Sequence, residues 1–238
     1  MPWILIPPGS AAGGGPVLLD DSEQHHLKVR RVTAGSSIAF TDGAGVRGTG
    51  EVVPSGREFA IAVTMTEQVA APAPLVLGVG AGDRDRFGWL VEKATELGVT
   101  GIVPLETERT RGVATAVRRD QLDKLRRRAR EVLKQCGGAW EPVLAEPEPL
   151  DVFMRRSDAG ARWVLDLDGG PAPALGATMP VTALVGPEGG FGAAERAAVI
   201  DQGFVPVSAG PLTLRFETAA IAAAVLIQAA RAGASRKP

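Results

Sequence analysis

The chain has 238 residues, of which 45% are hydrophobic and 22% are charged, as is ordinary for a soluble globular protein. Its 26 lysines and arginines against 27 aspartates and glutamates leave a net charge of −1. This balance excludes a uniformly basic nucleic-acid coat and a strongly acidic disordered chain. The length allows about one or two domains. The single cysteine, Cys136, excludes an intrachain disulfide, so we expect a cytoplasmic protein.

Metal and membrane sites are not expected. Cys136, His25 and His26 are the only cysteine and histidines of the sequence, which is too few for a Cys–His zinc site. Residues 1–8 lack the basic region and the long apolar run of a signal peptide. No uncharged apolar stretch has the length and the flanks of a membrane span.

Residues 1–70 are predicted to form a small β-barrel or sandwich. Apolar and β-branched residues recur in short runs between Gly, Pro, Ser and Asp, which is typical of strands. One helix is predicted over residues 23–32, with Asp21 and Gln24 spaced as in a capping box. Residues 70–74 contain consecutive X-Pro units, which favour an extended linker. The predicted strands are residues 3–6, 17–19, 37–40, 48–53 and 59–65.

From residue 75 onward, strand and helix patterns alternate. This alternation predicts a parallel sheet covered by helices. The predicted strands are residues 75–79, 101–105, 162–167, 181–185 and 205–208. The predicted helices are residues 84–97, 120–136, 193–202 and 217–232.

A basic stretch spans residues 109–134. It carries ten lysines and arginines against three acids, a local excess of seven positive charges. A solvated helix face is the simpler interpretation of such a run. The excess within a net-negative chain favours a phosphate-binding face, whose affinity for RNA would fall steeply with salt. The cations are Arg109, Arg111, Arg118, Arg119, Lys124, Arg126, Arg127, Arg128, Arg130 and Lys134.

Two glycine-containing loops follow predicted strands and precede predicted helices. The first, residues 184–191, reads L-V-G-P-E-G-G-F, and its glycines would let a ligand approach the backbone. It is neither a dinucleotide fingerprint nor a P-loop, and a tight strand–helix turn explains it equally well. The second loop, residues 208–219, carries Arg215, which could bind an anion or pair with Glu217 at the helix start.

His25 and His26 lie close to Arg30 and Arg31 on the helix predicted in the N-terminal region. A histidine could serve as a general base. A helix face that contacts RNA or the second domain is the favoured interpretation.

Six short motifs occur in order along nearly the whole chain. They are residues 25–35 (H-x-x-x-V-R-R-x-x-x-G), 93–99 (K-A-T-E-L-G-V), 108–110 (E-R-T), 130–136 (R-E-V-L-K-Q-C), 186–195 (G-P-E-G-G-F-x-x-x-E) and 214–219 (L-R-F-E-T-A). Together they resemble the RsmE-type 16S rRNA (uridine-N3) methyltransferases of the SPOUT superfamily. Trp3, Gly138 and Leu212 stand where that family usually has arginine.

The resemblance implies an α/β fold of two domains. Residues 1–70 would form a PUA-like β-barrel that binds RNA, and residues 71–238 a SPOUT methyltransferase domain with a parallel sheet and a trefoil knot, which is a rare topology. It implies S-adenosylmethionine as the cofactor, 16S rRNA in the small ribosomal subunit as the substrate, and a homodimer. The reaction would methylate uridine N3 during ribosome biogenesis.

The resemblance also implies site residues. The cofactor would be bound by Leu184, Val185, Gly186, Pro187, Glu188, Gly189, Gly190, Ser208, Gly210, Leu212, Thr213 and Leu214. RNA would be bound by His25, Arg30, Arg31, Arg109, Arg111, Arg126, Arg127 and Arg130. Arg215 would stabilise negative charge on a uracil oxygen, and Glu217 would orient Arg215 or act as a base, with orientation favoured.

Two other functions stay open. One is a SPOUT methyltransferase that acts on a different RNA nucleotide, which the missing arginines allow. The other is a non-catalytic RNA-binding or assembly protein, against which the intact glycine loop argues. A nicotinamide-dependent oxidoreductase is disfavoured because the phosphate fingerprint is absent.

Overall fold

A computed structural model of the chain describes residues 1–156 and 160–234. They form two compact units. The first unit comprises Met1–Ala71 and Arg130–Glu141, and the second comprises Pro72–Ala129 and the chain from Pro142 onward. The segment Arg130–Glu141 is therefore grouped with the N-terminal region, although it lies far from that region in the sequence.

The first unit is built on a five-stranded sheet. Its described elements are β1 (Trp3–Leu5), β2 (Val17–Leu18), α1 (Asp21–Val29), β3 (Ser37–Thr41), β4 (Val46–Ser55) and β5 (Glu58–Gln68), with a 3-10 turn at Ser10–Ala12. The strand order is β1-β3-β4-β5-β2. Strands β1 and β3 are parallel and the other pairs are antiparallel. Each predicted run in this region coincides with one of these strands.

The core of the first unit lies between this sheet and helix α1. Leu27 of the helix and Ile38, Phe40 and Ile61 of the strands are fully buried. The helix begins at Asp21, two residues before the predicted start at residue 23. Asp20, not Asp21, is its N-cap and accepts a 2.9 Å hydrogen bond from the N–H of Glu23. It ends at Val29, earlier than predicted.

The segment Arg130–Glu141 joins the first unit through hydrogen bonds to backbone carbonyls. The N–H of Glu141 donates to the carbonyl of Gly43 at 2.8 Å, and the indole N–H of Trp140 donates to the carbonyl of Ala70 at 3.1 Å. Such long-range pairings depend on tertiary structure, and the local pattern of the sequence did not indicate them.

The second unit is built on a parallel sheet. Its described elements are β6 (Leu75–Val79), α2 (Arg84–Glu96), β7 (Gly101–Glu106), a 3-10 turn at Arg119–Gln121, α3 (Leu122–Cys136), β8 (Val143–Leu144), β9 (Glu148–Pro149), α4 (Leu150–Met154), β10 (Ala161–Gly170), β11 (Val181–Val185), α5 (Ala193–Asp201), β12 (Val205–Val207) and α6 (Phe216–Ala234). The last part of α3, from Arg130, belongs to the first unit. The strand order is β12-β10-β11-β6-β7-β8, and β9 also pairs with β7.

Every strand pair of this sheet is parallel, so the predicted mixed α/β class with a parallel sheet is confirmed. All five residues of β11 are buried, as is typical of a strand covered on both faces. The short elements β8, β9 and α4 were not predicted. The passage of the chain through a trefoil knot stays a prediction.

Helix α6 is a core helix of the second unit. Over Phe216–Gly233 it is long and apolar enough to cross a membrane by length and composition, a test that core helices of soluble proteins also pass. Its Phe216, Ala220 and Ile227 are fully buried in the core of this unit. Near its end, Arg231 is 6% exposed and donates 2.6 Å hydrogen bonds to the carbonyls of Pro74 and Met179.

The sheet order brings three strand ends together. Strand β10 lies between β12 and β11, and all three are parallel. The loops that follow their carboxyl ends therefore meet at one edge of the sheet, where α/β proteins bind ligands.

Candidate functional site

A cavity of about 350 Å³ lies at this edge. Strand β10, the loops that follow β11 and β12, the N-terminal part of α6 and one side chain of α5 form its walls. The lining residues are Val164, Leu165, Asp166, Leu167, Val185, Gly186, Pro187, Glu188, Gly189, Gly190, Phe191, Arg196, Ala209, Gly210, Leu212, Thr213, Leu214, Phe216 and Ala219. The volume is within the usual range for small-molecule sites.

The structure brings most of the predicted cofactor residues together in this cavity. Ten of the twelve line it; Leu184 and Ser208 do not. Leu184 is fully buried in a hydrophobic cluster beneath the loop. The hydroxyl of Ser208 donates to the carbonyl of Gly210 at 3.1 Å, so Ser208 shapes the loop that follows β12.

Sequence reasoning missed the wall that β10 itself and Arg196 form. Residues 164–167 and Arg196 line the cavity, but the sequence order of the strands does not reveal that β10 lies beside β11. A predicted strand order would have been the signal, since the carboxyl ends of neighbouring parallel strands share one edge.

The glycines of the first loop have different physical roles. A Cβ on Gly186 would lie 3.1 Å from the Cα of Gly190, within the same loop, while Gly190 has a φ of +72°, which favours glycine. A Cβ on Gly189 would lie 2.7 Å from Nη1 of Arg109. Gly186 and Gly190 therefore suit the tight turn that the sequence also allowed, and Gly189 makes room for Arg109. All three glycines line the cavity, and free approach of a ligand to the backbone stays a prediction.

Glu195 connects two loops at the edge of the cavity. Its carboxylate accepts hydrogen bonds from the backbone N–H of Glu108 at 2.7 Å and from that of Gly192 at 2.9 Å. The second bond caps helix α5. The same carboxylate thus fixes the segment that carries Arg109 against the glycine loop.

An ion pair lies in the wall of the cavity. Nε of Arg196 donates to Oδ2 of Asp166 at 2.7 Å, and the N–H of Asp168 donates to Oδ1 at 3.0 Å. The hydrogen bond from Arg196, helped by the N–H of Asp168, lowers the pKa of Asp166 despite partial burial. The same bond raises the pKa of Arg196, so both groups are charged at neutral pH.

The predicted catalytic residues lie at the start of α6. Arg215 is exposed, whereas Glu217 is 7% exposed and its Oε2 atom has no hydrogen-bond partner among the described residues. No ion pair joins the two side chains in the described part of the chain. The favoured role of Glu217, orientation of Arg215, has no contact to support it.

The basic stretch is partly neutralised by acids from outside it. Among its cations, Arg119 pairs with Glu146 and Arg128 with Glu92 in the second unit. In the first unit, Arg130 pairs with Glu141 and Lys134 with Glu23. The stretch therefore presents fewer free cations than its sequence suggests.

The predicted RNA-binding residues divide between the units. His25, Arg30, Arg31 and Arg130 lie in the first unit, and Arg109, Arg111, Arg126 and Arg127 in the second. All are exposed except the half-buried Arg126, which pairs with Asp123 at 3.0 Å. Within the described residues, Arg109, Arg111 and Arg127 form no ion pair.

Trp3 and Leu212 stand where the family usually has arginine, and the structure shows what surrounds each of them. A Cβ on Gly137 would lie 3.0 Å from the ring of Trp3, so Trp3 packs beside the segment that contains Gly138. Leu212 is 74% exposed at the cavity.

Among residues 1–156 and 160–234, no group of three His, Cys, Asp or Glu side chains could hold a metal ion.

The chain matches known families over both regions. Residues 70–228 match the family described as RNA methyltransferase domain, and residues 19–65 match the RNA methyltransferase PUA domain. Ribosomal RNA small subunit methyltransferase E of Synechocystis sp. is 30% identical over 219 residues, which are 87% of this chain and 71% of that protein.

Solved structures share the fold. Ribosomal RNA small subunit methyltransferase E from Neisseria gonorrhoeae, bound to S-adenosyl methionine, has a TM-score of 0.83 at 24% identity and covers 96% of this chain and 97% of its own. A Legionella pneumophila protein in complex with the bound cofactor SAM has a TM-score of 0.79 at 27% identity, with the same coverage. The chain belongs to the ribosomal RNA small subunit methyltransferase E family of RNA methyltransferases, with a PUA domain in its N-terminal region.

Proposed function

We propose that this protein transfers the methyl group of S-adenosylmethionine to N3 of a uridine in the 16S rRNA of the small ribosomal subunit, in the cytoplasm. The observation that carries the proposal is the cavity at the ends of β10, β11 and β12. Two of the family motifs, residues 186–195 and 214–219, contribute to its walls.

The cavity fits the cofactor by its size and by its walls. A volume of about 350 Å³ suits an adenosine-sized ligand. Within the described residues, the backbone N–H groups of Leu212, Thr213 and Leu214 have no hydrogen-bond partner. Unpaired backbone groups beside apolar side chains can bind the edge of a neutral purine. We therefore assign adenosine binding to residues 185–190 and 209–214.

Uridine N3 carries a proton and is a poor nucleophile until that proton leaves. The bound cofactor would supply an electrophilic methyl group on a sulfonium. Arg215, exposed beside the cavity, would stabilise the negative charge that develops on a uracil oxygen. Glu217 has a buried acceptor oxygen without a partner among the described residues, and its contribution, as a base or through Arg215, stays a prediction.

The uridine must be unpaired in the substrate, because N3 lies on the base-pairing edge. The exposed cations Arg109, Arg111 and Arg127 would contact phosphates around it. His25, Arg30 and Arg31 of the PUA-like region would contact RNA as well, and the ion-paired Arg126 and Arg130 less strongly.

We also propose that the protein acts as a homodimer. Trp89 on α2 is 43% exposed and Val225 on α6 is 47% exposed, and these two helices pack together. Contiguous exposed apolar patches often mark an interface, and we propose that these two helices carry one. Light scattering should give twice the chain mass of 24.7 kDa; a monomer at micromolar concentration would contradict the homodimer alone.

The function is tested by methyl transfer in vitro. The purified chain and methyl-labelled S-adenosylmethionine would be incubated with small subunits from a strain that lacks the modification, and in parallel with the same rRNA free of protein. We expect label in the rRNA of the subunits. Absence of label from both substrates would contradict the proposed activity, and label only in free rRNA would contradict the assembled subunit as the substrate.

A further inference from the structure

Charged side chains are rare in the cavity wall. Of the nineteen lining residues, Asp166, Glu188 and Arg196 carry charge. Asp166 and Arg196 form the ion pair described above, with Nε and Oδ2 2.7 Å apart. Neither residue belongs to the glycine loops, and the binding of adenosine by backbone groups requires neither.

The terminal nitrogens of Arg196 are available to bind a ligand. Nε of Arg196 is bonded to Asp166, while Nη1 and Nη2 have no hydrogen-bond partner among the described residues. A guanidinium with two free nitrogens presents a planar fork that matches a carboxylate. The Arg196 side chain is 53% exposed, so its free end is accessible to a ligand.

Asp166 holds this arginine in place. Its side chain is 16% exposed and is fixed by bonds to both oxygens, one from Arg196 and one from the N–H of Asp168. An arginine whose orientation is fixed before binding loses less side-chain entropy when a ligand arrives.

S-adenosylmethionine has a single carboxylate, on its amino-acid end, and its adenosine end is neutral. We propose that Arg196 binds this carboxylate through Nη1 and Nη2, and that Asp166 is the positioning residue of Arg196. This inference rests on the proposed function, and it assigns the α-amino-acid end of the ligand to the β10–α5 side of the cavity.

Two adenosine ligands distinguish the contribution of the carboxylate contact to affinity from that of the rest of the site. S-adenosylhomocysteine has the amino-acid end, and 5′-methylthioadenosine lacks it. Calorimetry with the full chain would measure the Kd of both for the wild type, Arg196→Ala and Asp166→Asn. Arg155→Ala is the matched control, because Arg155 also pairs with an aspartate, Asp151, at 2.8 Å.

We expect Arg196→Ala to raise the Kd of S-adenosylhomocysteine about tenfold or more, since a hydrogen bond to a charged group is lost. The Kd of 5′-methylthioadenosine should not change, which also shows that the cavity is folded. Asp166→Asn should raise the Kd of S-adenosylhomocysteine by a smaller factor. Arg155→Ala should change the Kd of neither ligand.

Equal weakening of both ligands by Arg196→Ala would overturn the inference, because the pair would then only shape the cavity. An unchanged Kd for both would overturn it too. Failure of the proposed function is a separate result: the wild type itself would bind neither ligand, and the inference would fall with it.

Discussion

The Nζ atom of Lys134 lies 2.6 Å from Oε1 of Glu23, and the two side chains are 4% and 5% exposed. Lys134 also lies 2.8 Å from Oε1 of Glu131. In the sequence it is one of the cations of the basic stretch. In the structure it is enclosed in the first unit, where its charge is neutralised and is not available to a phosphate.

Lys134→Met should destabilise the first unit strongly. The substitution leaves the buried Glu23 carboxylate without its lysine, and among the described residues only Nδ1 of His26, 3.4 Å away, remains as a partner. Removal of one partner from a buried pair costs about 3–5 kcal/mol. The free energy of unfolding in urea would measure this cost. Lys124→Met is the matched control, because Lys124 lies exposed on the same helix and should change stability by about 0.5 kcal/mol or less. Equal effects of the two substitutions would refute a structural role for the buried pair.

Arg127 and Arg128 should differ in their effects on RNA binding. Arg127 is exposed and has no ion-pair partner in the described part of the chain, whereas Arg128 pairs with Glu92. Arg127→Ala should weaken binding to small subunits and reduce the slope of log affinity against log salt by about 1. Arg128→Ala should leave that slope almost unchanged. Binding of both variants would be measured over a series of salt concentrations. Identical slopes would contradict the claim that only cations without an ion-pair partner contact phosphates.

Much of the fold was predictable because it depends on local patterns. The fully buried β11 and the amphipathic α2 appear in the sequence as an apolar run and as a helical repeat, and both were predicted close to their observed bounds. The elements between Val143 and Met154 are too short to leave such a pattern.

The candidate site was predictable only where one segment supplies it. The loop of residues 185–190 is continuous in sequence and was predicted. The pair of Asp166 and Arg196 joins residues thirty positions apart, and it depends on the placement of β10 beside β11. Likewise, Glu23 lies 111 positions from Lys134, so a count of charges along the sequence overestimates the free cations of the basic stretch.

Gly186→Ala should affect binding of S-adenosylhomocysteine, whereas Gly189→Ala should affect binding of RNA. A Cβ on Gly186 meets the backbone of its own loop, which must shift, so the Kd of S-adenosylhomocysteine should rise. A Cβ on Gly189 meets the end of the Arg109 side chain, which can move away from the loop. Gly189→Ala should therefore weaken RNA binding as much as Arg109→Ala does. The double variant should bind RNA no more weakly than Arg109→Ala alone. Additive losses would show that Gly189 does not act through Arg109.

Arg215→Ala should lower kcat with little change in the Kd of S-adenosylhomocysteine. Loss of one group that stabilises a developing oxyanion costs about 10²–10³ in rate. Single-turnover methyl transfer at saturating substrate would measure the loss directly. Turnover at the wild-type rate with unchanged affinities would remove Arg215 from the mechanism.

Arg196→Ala should change the pH dependence of stability. Asp166 has a folded-state pKa below its usual value of 3.8, so the folded state binds fewer protons there than the unfolded state. The resulting stabilisation is present at neutral pH and is lost as pH falls through the folded-state pKa. The wild type should exceed Arg196→Ala in stability at pH 7, and the difference should shrink below about pH 4. Urea unfolding across this range tests the prediction, and a difference that grows towards acid pH would contradict it.

We propose that the reaction product is a uridine methylated at N3. The most direct measurement is mass spectrometry of nucleosides from the rRNA of small subunits after reaction with this chain and S-adenosylmethionine. We predict that 3-methyluridine appears, and that it is much reduced with Arg215→Ala. A different methylated nucleoside would contradict the assigned target, and no new methylated nucleoside would contradict the assigned activity.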